Sequence, residues 1–381
     1  MRVNRTRRAV NATRYSLNAV CPYFTMFPLE YPLRILKART SRNTRRILVC
    51  DPYCGRGTTI FAARTLGLRA YGIDVAPVAV AIARAKVATT TTEEVAALAQ
   101  FLLEESTLDA PSPSTDFWRL AYHPGTLKDI CAIRDGLLHL RGDTAAMLRA
   151  IMLGALHGPL SRNPENASYL SNQMPRTFAS KPRYSVKYWR KTETKAPRLD
   201  VIKIVKKRAE RALAQIWKSS LSRPIDIRCS DSRTARAFDR LQRHITHVIT
   251  SPPYYGLRTY SQDQWIRHWF LGGPANVDYS APTGMNHGSP SLFAQSMAKV
   301  WNQIGTHSSE DVRLCVRFGG IKSRAADPDE IFKSSLAASL HEWRIVTKHS
   351  AQSASEGRRQ ADQMTCSERA MTEFDYIVTR M

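Results

Sequence analysis

The segment from Arg46 to Lys86 constrains the fold most tightly, because apolar runs, a glycine turn and helical stretches alternate there at the spacing of a β-α-β-α unit. Ile47 to Cys50 is a short apolar run, Asp51 to Thr58 a turn with two glycines, and Thr59 to Leu66 a helical stretch that Gly67 is placed to cap. Arg69 to Ile73 predicts the next strand, Asp74 ends it, and Pro77 opens a helix through Lys86, since proline suits a first helical turn. This is the beginning of an open α/β sheet, a fold that binds ligands at the carboxyl ends of its strands.

The alternation then stops. Residues 93 to 225 hold long amphipathic helical stretches, among them Thr126 to Leu140 and Thr144 to His157, followed by a loop rich in Pro, Tyr and Lys/Arg from Ser161 to Arg198. Strand signals return at Ile225 to Cys229, His247 to Thr250, Val312 to Phe318 and Tyr376 to Val378. The expected organisation is a basic arm over 1–22, an α/β catalytic domain formed by 23–92 and 226–381, and a helical, basic insertion over 93–225. No internal repeat is visible.

With 381 residues and 43% hydrophobic content the chain can bury a substantial core, yet its formal net charge is +24, which points to a polyanionic partner. Two segments carry nearly all of that charge: residues 1 to 46, with Glu30 as their one acid, and residues 176 to 223. The first 19 residues read as a flexible basic arm; a mitochondrial transit peptide shares that composition. No run of about 18 apolar residues exists to cross a membrane. The 7 cysteines contain no C-x-x-C pair, so neither a disulfide framework nor a zinc site is expected, and the protein is placed in the cytoplasm with reduced thiols.

The turn Asp51-Pro-Tyr-Cys-Gly-Arg-Gly-Thr-Thr59 lets backbone approach a ligand closely, and it lacks the Gly-Lys-Ser/Thr ending of an ATPase phosphate loop. Asp74, at the carboxyl end of the next strand, is placed to accept hydrogen bonds from ribose hydroxyls. Loop and acid together suggest an adenosine-containing cofactor.

With these residues the chain resembles the S-adenosylmethionine-dependent DNA amino-methyltransferases, which modify the exocyclic nitrogen of cytosine or adenine. Five pieces carry the resemblance: Tyr23-Phe-Thr-Met-Phe-Pro28, the loop Asp51 to Thr59 with Tyr53 where the family has Phe, Gly72-Ile-Asp-Val75, Cys229-Ser-Asp-Ser232, and Thr250-Ser-Pro-Pro-Tyr254. They cover the catalytic domain and leave out the insertion. The resemblance implies a Rossmann-like methyltransferase sheet with helices on both faces and S-adenosyl-L-methionine as cofactor. Its binding residues would be Phe27, Pro28, Asp51, Tyr53, Gly55, Gly57, Thr58, Thr59, Asp74, Val75 and Asp231. Asp51 would hold the methionine amino group, Gly55 and Gly57 would clear room for the methionine moiety, Asp74 would bind the ribose and Asp231 the adenine amino group. Asp226 and Asp239 lie near enough to compete for that last role.

Ser251-Pro252-Pro253-Tyr254 follows an apolar run, which places it at the carboxyl end of a strand. Two prolines fix the backbone and remove two N–H donors, leaving the Ser251 and Pro252 carbonyls and the Ser251 hydroxyl as acceptors. An exocyclic amine is a poor nucleophile because its lone pair is delocalised into the ring. Accepting its two N–H bonds localises that pair for in-line displacement, and positioning of this kind is worth about 7–11 kcal/mol in favourable cases. Tyr254 would stack on a base flipped out of the duplex. By the resemblance, Ser at the first position favours the N4 of cytosine, whereas adenine enzymes more often carry Asp or Asn. Ring-carbon methylation is disfavoured because no Pro-Cys pair supplies a nucleophile.

In the basic loop, Tyr169, Phe178, Tyr184, Tyr188 and Trp189 interleave with Arg162, Arg176, Lys181, Arg183, Lys187, Arg190 and Lys191. Together with a helix over Lys203 to Lys218 it is expected to grip DNA, with Lys181, Arg183, Lys187, Arg190 and Lys191 on phosphates. A second candidate for target recognition is Arg258 to Asn286, with Gln262, Arg267, His268 and Trp269. The partners expected are duplex DNA with a flipped base, a second copy of the chain, and a cognate restriction nuclease. Adenine N6 methylation, RNA base methylation and a non-catalytic nucleic-acid-binding protein on a methyltransferase scaffold stand as the alternatives.

Overall fold

A computed structural model of the protein describes residues 15–23, 28–38, 46–106, 112–158, 167–172, 181–214, 224–241, 244–256, 261–278, 284–320, 326–351 and 372–381. Most of the basic arm and Phe27 lie outside the described residues, as do Arg162, Arg176 and Phe178. The strands are β1 (Leu48–Asp51), β2 (Arg69–Asp74), β3 (Ile225–Cys229), β4 (Ile245–Thr250), β5 (Ser308–Gly320), β6 (Trp343–Ser350) and β7 (Thr372–Arg380). The helices are α1 (Glu30–Lys37), α2 (Thr58–Thr65), α3 (Pro77–Ala85), α4 (Thr92–Glu104), α5 (Asp116–Ala121), α6 (Pro124–His139), α7 (Asp143–Ala155), α8 (Pro182–Lys191), α9 (Val201–Ala212), α10 (Trp265–Phe270), α11 (Pro290–His307) and α12 (Pro328–Ala337).

The strands form one seven-stranded sheet in the order β3-β2-β1-β4-β5-β7-β6. Neighbours run parallel from β3 through β5, and β7 lies antiparallel between β5 and β6. This is a mixed α/β fold with an open, largely parallel sheet. β1 is central and every residue of it is buried, as an apolar run covered on both faces requires. The order reverses between β1 and β4, so the crevice outside those two strands is the topological switch point where open α/β sheets take ligands. The core joins Leu48, Val248, Leu314 and Tyr376 of the sheet to Phe293 and Trp301 of α11 and Phe332 of α12.

The chain divides into two compact units. One comprises residues 23–83, 220–259 and 282–381 and contains the whole sheet. The other comprises 1–22, 84–219 and 260–281 and is helical among its described residues. The helical unit is thus discontinuous, drawing on 260–281 as well as on the long segment between β2 and β3. Its core is aromatic: Phe117, Trp118 and Trp265 meet edge-on, and Trp118 packs on Trp269 with ring centroids 4.4 Å apart.

Two elements differ from the sequence reading. The stretch read as a loop contains α8, because Pro182 starts a turn and Ser185 and Trp189, four apart, bury one face. β6 carried no readable strand signal: Arg344, Lys348, His349 and Ser350 face outward on the edge of the sheet.

Candidate active site

Because β1 to β5 run parallel, their carboxyl ends fall on one edge of the sheet, and Asp51, Asp74, Cys229 and Thr250 end four adjacent strands there. β7 is antiparallel, so its first residues reach the same edge: Glu373 is in register with Gly319, near the end of β5.

Asp51 is only 1% exposed. Its Oδ1 accepts from the Thr250 hydroxyl at 2.6 Å and from the Tyr53 amide at 3.2 Å, which ties the ends of β1 and β4 together across the switch point. Burial pushes its carboxyl up to about 7, against the hydroxyls and amide that stabilise the charged form. A bound cation would reverse that cost. Affinity for a ligand with an ammonium group at Asp51 should therefore be flat above about pH 7 and fall towards tenfold per pH unit below it, with protons released on binding at pH 6. Calorimetric titration with S-adenosylmethionine from pH 5.5 to 8 reads both, and a pH-independent affinity would remove Asp51 from the ligand.

The two loop glycines have different reasons for being glycine. Both have positive φ, +50° at Gly55 and +76° at Gly57. A Cβ on Gly57 would sit 2.8 Å from that of Ala83, so this glycine lets α2 pack against α3. At Gly55 a Cβ would meet nothing closer than the Tyr53 carbonyl at 4.0 Å, so the open space belongs to this residue alone. Thr59 is likewise structural: its hydroxyl donates to the Ile249 carbonyl at 3.0 Å, and Thr58 is buried at the start of α2. Pro28 precedes α1, where its carbonyl accepts from the Tyr31 amide.

Asp74 accepts from the Gly55 amide at 2.8 Å and the Ala76 amide at 2.9 Å, and burial raises its pKa. It shapes the glycine loop as well as presenting a carboxylate beside it. Val75 is 53% exposed, an apolar surface of the size a purine can cover, next to the acid that would take a ribose. An exposed valine, an open glycine and two carboxyl groups on one strand edge fit an adenosine with an amino-acid tail. Asp231 departs from expectation, because Arg233 forks onto both of its oxygens at 2.7–3.0 Å and holds its pKa down. An adenine amino group would have to displace that guanidinium. The neighbours Asp226 and Asp239 are no substitute, since Asp239 pairs with Arg228 and Asp226 lies inside β3.

One segment that sequence reasoning did not connect to the loop reaches both halves of the site. Met285 lies against the Tyr53 hydroxyl, Sδ to Oη 3.9 Å, and His287 Nδ1 accepts from the Gly256 amide at 3.1 Å. A Cβ on Gly284 would lie 3.9 Å from Val75.

In the tetrapeptide, Ser251 and Pro253 are half-buried and Pro252 is buried. Tyr254 is only 8% exposed, its ring edge-on to Phe318 with centroids 5.7 Å apart. Its hydroxyl donates to Glu373 Oε1 at 3.1 Å. Burial pushes the phenol pKa up. A ring packed this way is a wall of the site and presents little face for a base to stack on, in contrast to the sequence expectation.

In the helical unit, Arg183, Lys187 and Lys191 recur every four residues along α8, an exposed stripe spanning about 12 Å. None of the three forms an ion pair among the described residues. Arg190 instead pairs with Asp116, and Lys181 faces Asp263. Tyr184 is exposed beside the stripe, whereas Trp189 is buried against Phe117 and cannot wedge between bases. The helix expected over Lys203 to Lys218 is α9, which ends at Ala212; Lys218 lies outside the described residues. Of the second recognition candidate, Arg267 is 7% exposed and donates to the Leu153 and Pro22 carbonyls, and Trp269 is core. His268 alone is exposed, and the Gln262 side chain lies outside the described residues.

Residues 4–85 match a family model described as DNA methylase, which supports the DNA amino-methyltransferase family and methyltransferase activity. The match contains the glycine loop, Asp74 and Val75. No curated protein matches the chain. Two solved structures of the rRNA methyltransferase aviRa from Streptomyces viridochromogenes align over 94% of this chain and 87% of theirs, at 11% and 12% identity with TM-scores of 0.34 and 0.33. Among the described residues no helix is long and apolar enough to cross a membrane.

Proposed function

We propose that the protein transfers a methyl group from S-adenosyl-L-methionine to the exocyclic N4 of cytosine in DNA. The observation that carries this reading is the juxtaposition of Asp51 and Ser251 across the switch point, with the Asp51–Thr250 hydrogen bond as its clasp. The cofactor would lie along the edge from Val75 and Asp74, past Gly55, to Asp51, and it supplies an electrophilic methyl group. The chain's own residues do the rest. Ser251 and the Pro252 carbonyl accept the two N–H bonds of the amine and so localise its lone pair, and the buried walls formed by Pro252 and Tyr254 exclude water.

DNA as the polyanion is supported by the matched family and by the α8 stripe of three exposed cations that form no ion pair among the described residues. The target amine cannot reach Ser251 from inside a stacked duplex, so base flipping belongs to the proposal. A restriction nuclease partner and a homodimer remain proposals that follow from the family alone. Transfer of labelled methyl from the cofactor to duplex DNA, set beside transfer to structured RNA, tests the reading: label in RNA with none in DNA would refute it.

A further inference from the structure

We propose that His287 is a positioning residue for the methyl transfer, holding the far end of the Ser251–Tyr254 turn in register with the glycine loop. The inference rests on the proposed amino-methylation and deepens it. Pro252 and Pro253 carry no N–H, so the turn has few donors of its own with which to fix itself. It is pinned from outside, at both ends and to the same loop. At the near end the Thr250 hydroxyl donates to Asp51 Oδ1 at 2.6 Å. At the far end the Gly256 amide donates to His287 Nδ1 at 3.1 Å. Two residues before His287, Met285 Sδ lies 3.9 Å from the Tyr53 hydroxyl, and the Tyr53 amide donates to Asp51 Oδ1 at 3.2 Å. The path from the turn through His287, Met285 and Tyr53 thus closes on the same carboxyl oxygen that holds the near end.

The strap that completes this circuit is itself fixed. The His287 ring packs against Tyr255 and Phe293, with centroids 6.2 and 5.2 Å away, and those two rings meet edge-on at 5.6 Å. Met285, Tyr255 and Phe293 are all buried. On its carboxyl side the strap runs into α11: Asn286 Oδ1 accepts from the Gly288 amide at 2.9 Å, and Ser289 Oγ caps the helix by accepting from the Leu292 amide at 3.1 Å. With that footing, one ring nitrogen sets where the chain leaves the tetrapeptide, and so where Ser251 and Pro252 present their oxygens to the amine. His287 acts on the amine only through the turn. Reacting atoms must meet in line at about 3–3.5 Å, and a misplacement of about 1 Å can cost about 10²-fold in rate.

Two substitutions separate the acceptor from the ring. His287→Phe keeps a ring against Tyr255 and Phe293 and removes the acceptor. His287→Asn gives up the ring and keeps an acceptor, its side-chain oxygen, near the place of Nδ1. His287→Phe should lower kcat for DNA methylation by about 10²-fold, with the dissociation constant for S-adenosylmethionine within about twofold of wild type, whereas His287→Asn should retain at least about a tenth of wild-type kcat. A residue needed only for packing gives the opposite order, with Asn the more damaged and the melting temperature lowered in step. His287→Phe turning over like wild type, or His287→Asn as slow as His287→Phe, would overturn the positioning role. Should His287→Phe fail to fold, a folded His287→Asn below about a tenth of wild-type kcat overturns it by itself. Wild type that leaves DNA unmethylated defeats the proposed function and this role with it; wild type that methylates DNA while His287→Phe keeps pace defeats the positioning role alone.

Discussion

Ser251→Ala should lower kcat for DNA methylation by about 10²- to 10³-fold, the cost of removing one preorganised hydrogen-bonding group at the reacting atom. The dissociation constant for S-adenosylmethionine should stay within twofold, because Val75, Asp74, Gly55 and Asp51 belong to β1, β2 and their loops, whereas Ser251 follows β4. The fold should survive as well. Ser251 is half-buried, and the Tyr254 phenol has its own hydrogen bond to Glu373. Stopped-flow or radiolabel kinetics with calorimetric titration separate the two constants. Unchanged turnover would mean that the protein binds nucleic acid on a methyltransferase scaffold without using the tetrapeptide. Lost cofactor binding would mean that Ser251 supports the glycine loop instead of the amine.

Charge reversal at Arg183, Lys187 and Lys191 together should nearly abolish DNA binding near physiological salt. It should also flatten the dependence of log K on log salt by about 2.7, since each neutralised phosphate contributes about 0.9. The stripe geometry sharpens the control. Arg190 lies on the same helix but is paired with Asp116, so Arg190→Gln should leave the salt slope where it is. Trp189 is core, so Trp189→Ala should show as lost stability, about 3–5 kcal/mol for a buried aromatic, and not as a base-stacking defect. A slope unmoved by the triple reversal would take α8 out of the interface.

The sheet was legible wherever one short segment decides its own state. β1 and β2 announce themselves because buried parallel strands are apolar runs and the glycine loop between them has few other uses. β6 was illegible for the opposite reason: an edge strand with a solvated face is mostly polar, and Trp343 and Ile345 are too few to give a period. α8 was hidden by its composition, since only Ser185 and Trp189 are buried and the remaining positions are one proline, one valine, two tyrosines and four cations.

The same distinction runs through the site. Asp51, Asp74 and Ser251 could be named because each sits at the end of a strand recognisable on its own. What each is bonded to could not be read. The clasp between Asp51 and Thr250 spans 199 positions and the Tyr254–Glu373 bond 119, and both exist only because of the strand order. Asp231 shows a local failure: Arg233, two residues on, folds back on it, and a pattern of residue types says nothing about which pairs close. The two glycines read alike in sequence, yet packing against Ala83 accounts for Gly57 and leaves only Gly55 with open space.

The methylated product is the most direct test. Duplex DNA incubated with the protein and S-adenosylmethionine, digested to nucleosides and analysed by mass spectrometry, should contain N4-methylcytosine. N6-methyladenine in its place would contradict the cytosine assignment, and methylated RNA beside unmodified DNA would contradict the central claim itself.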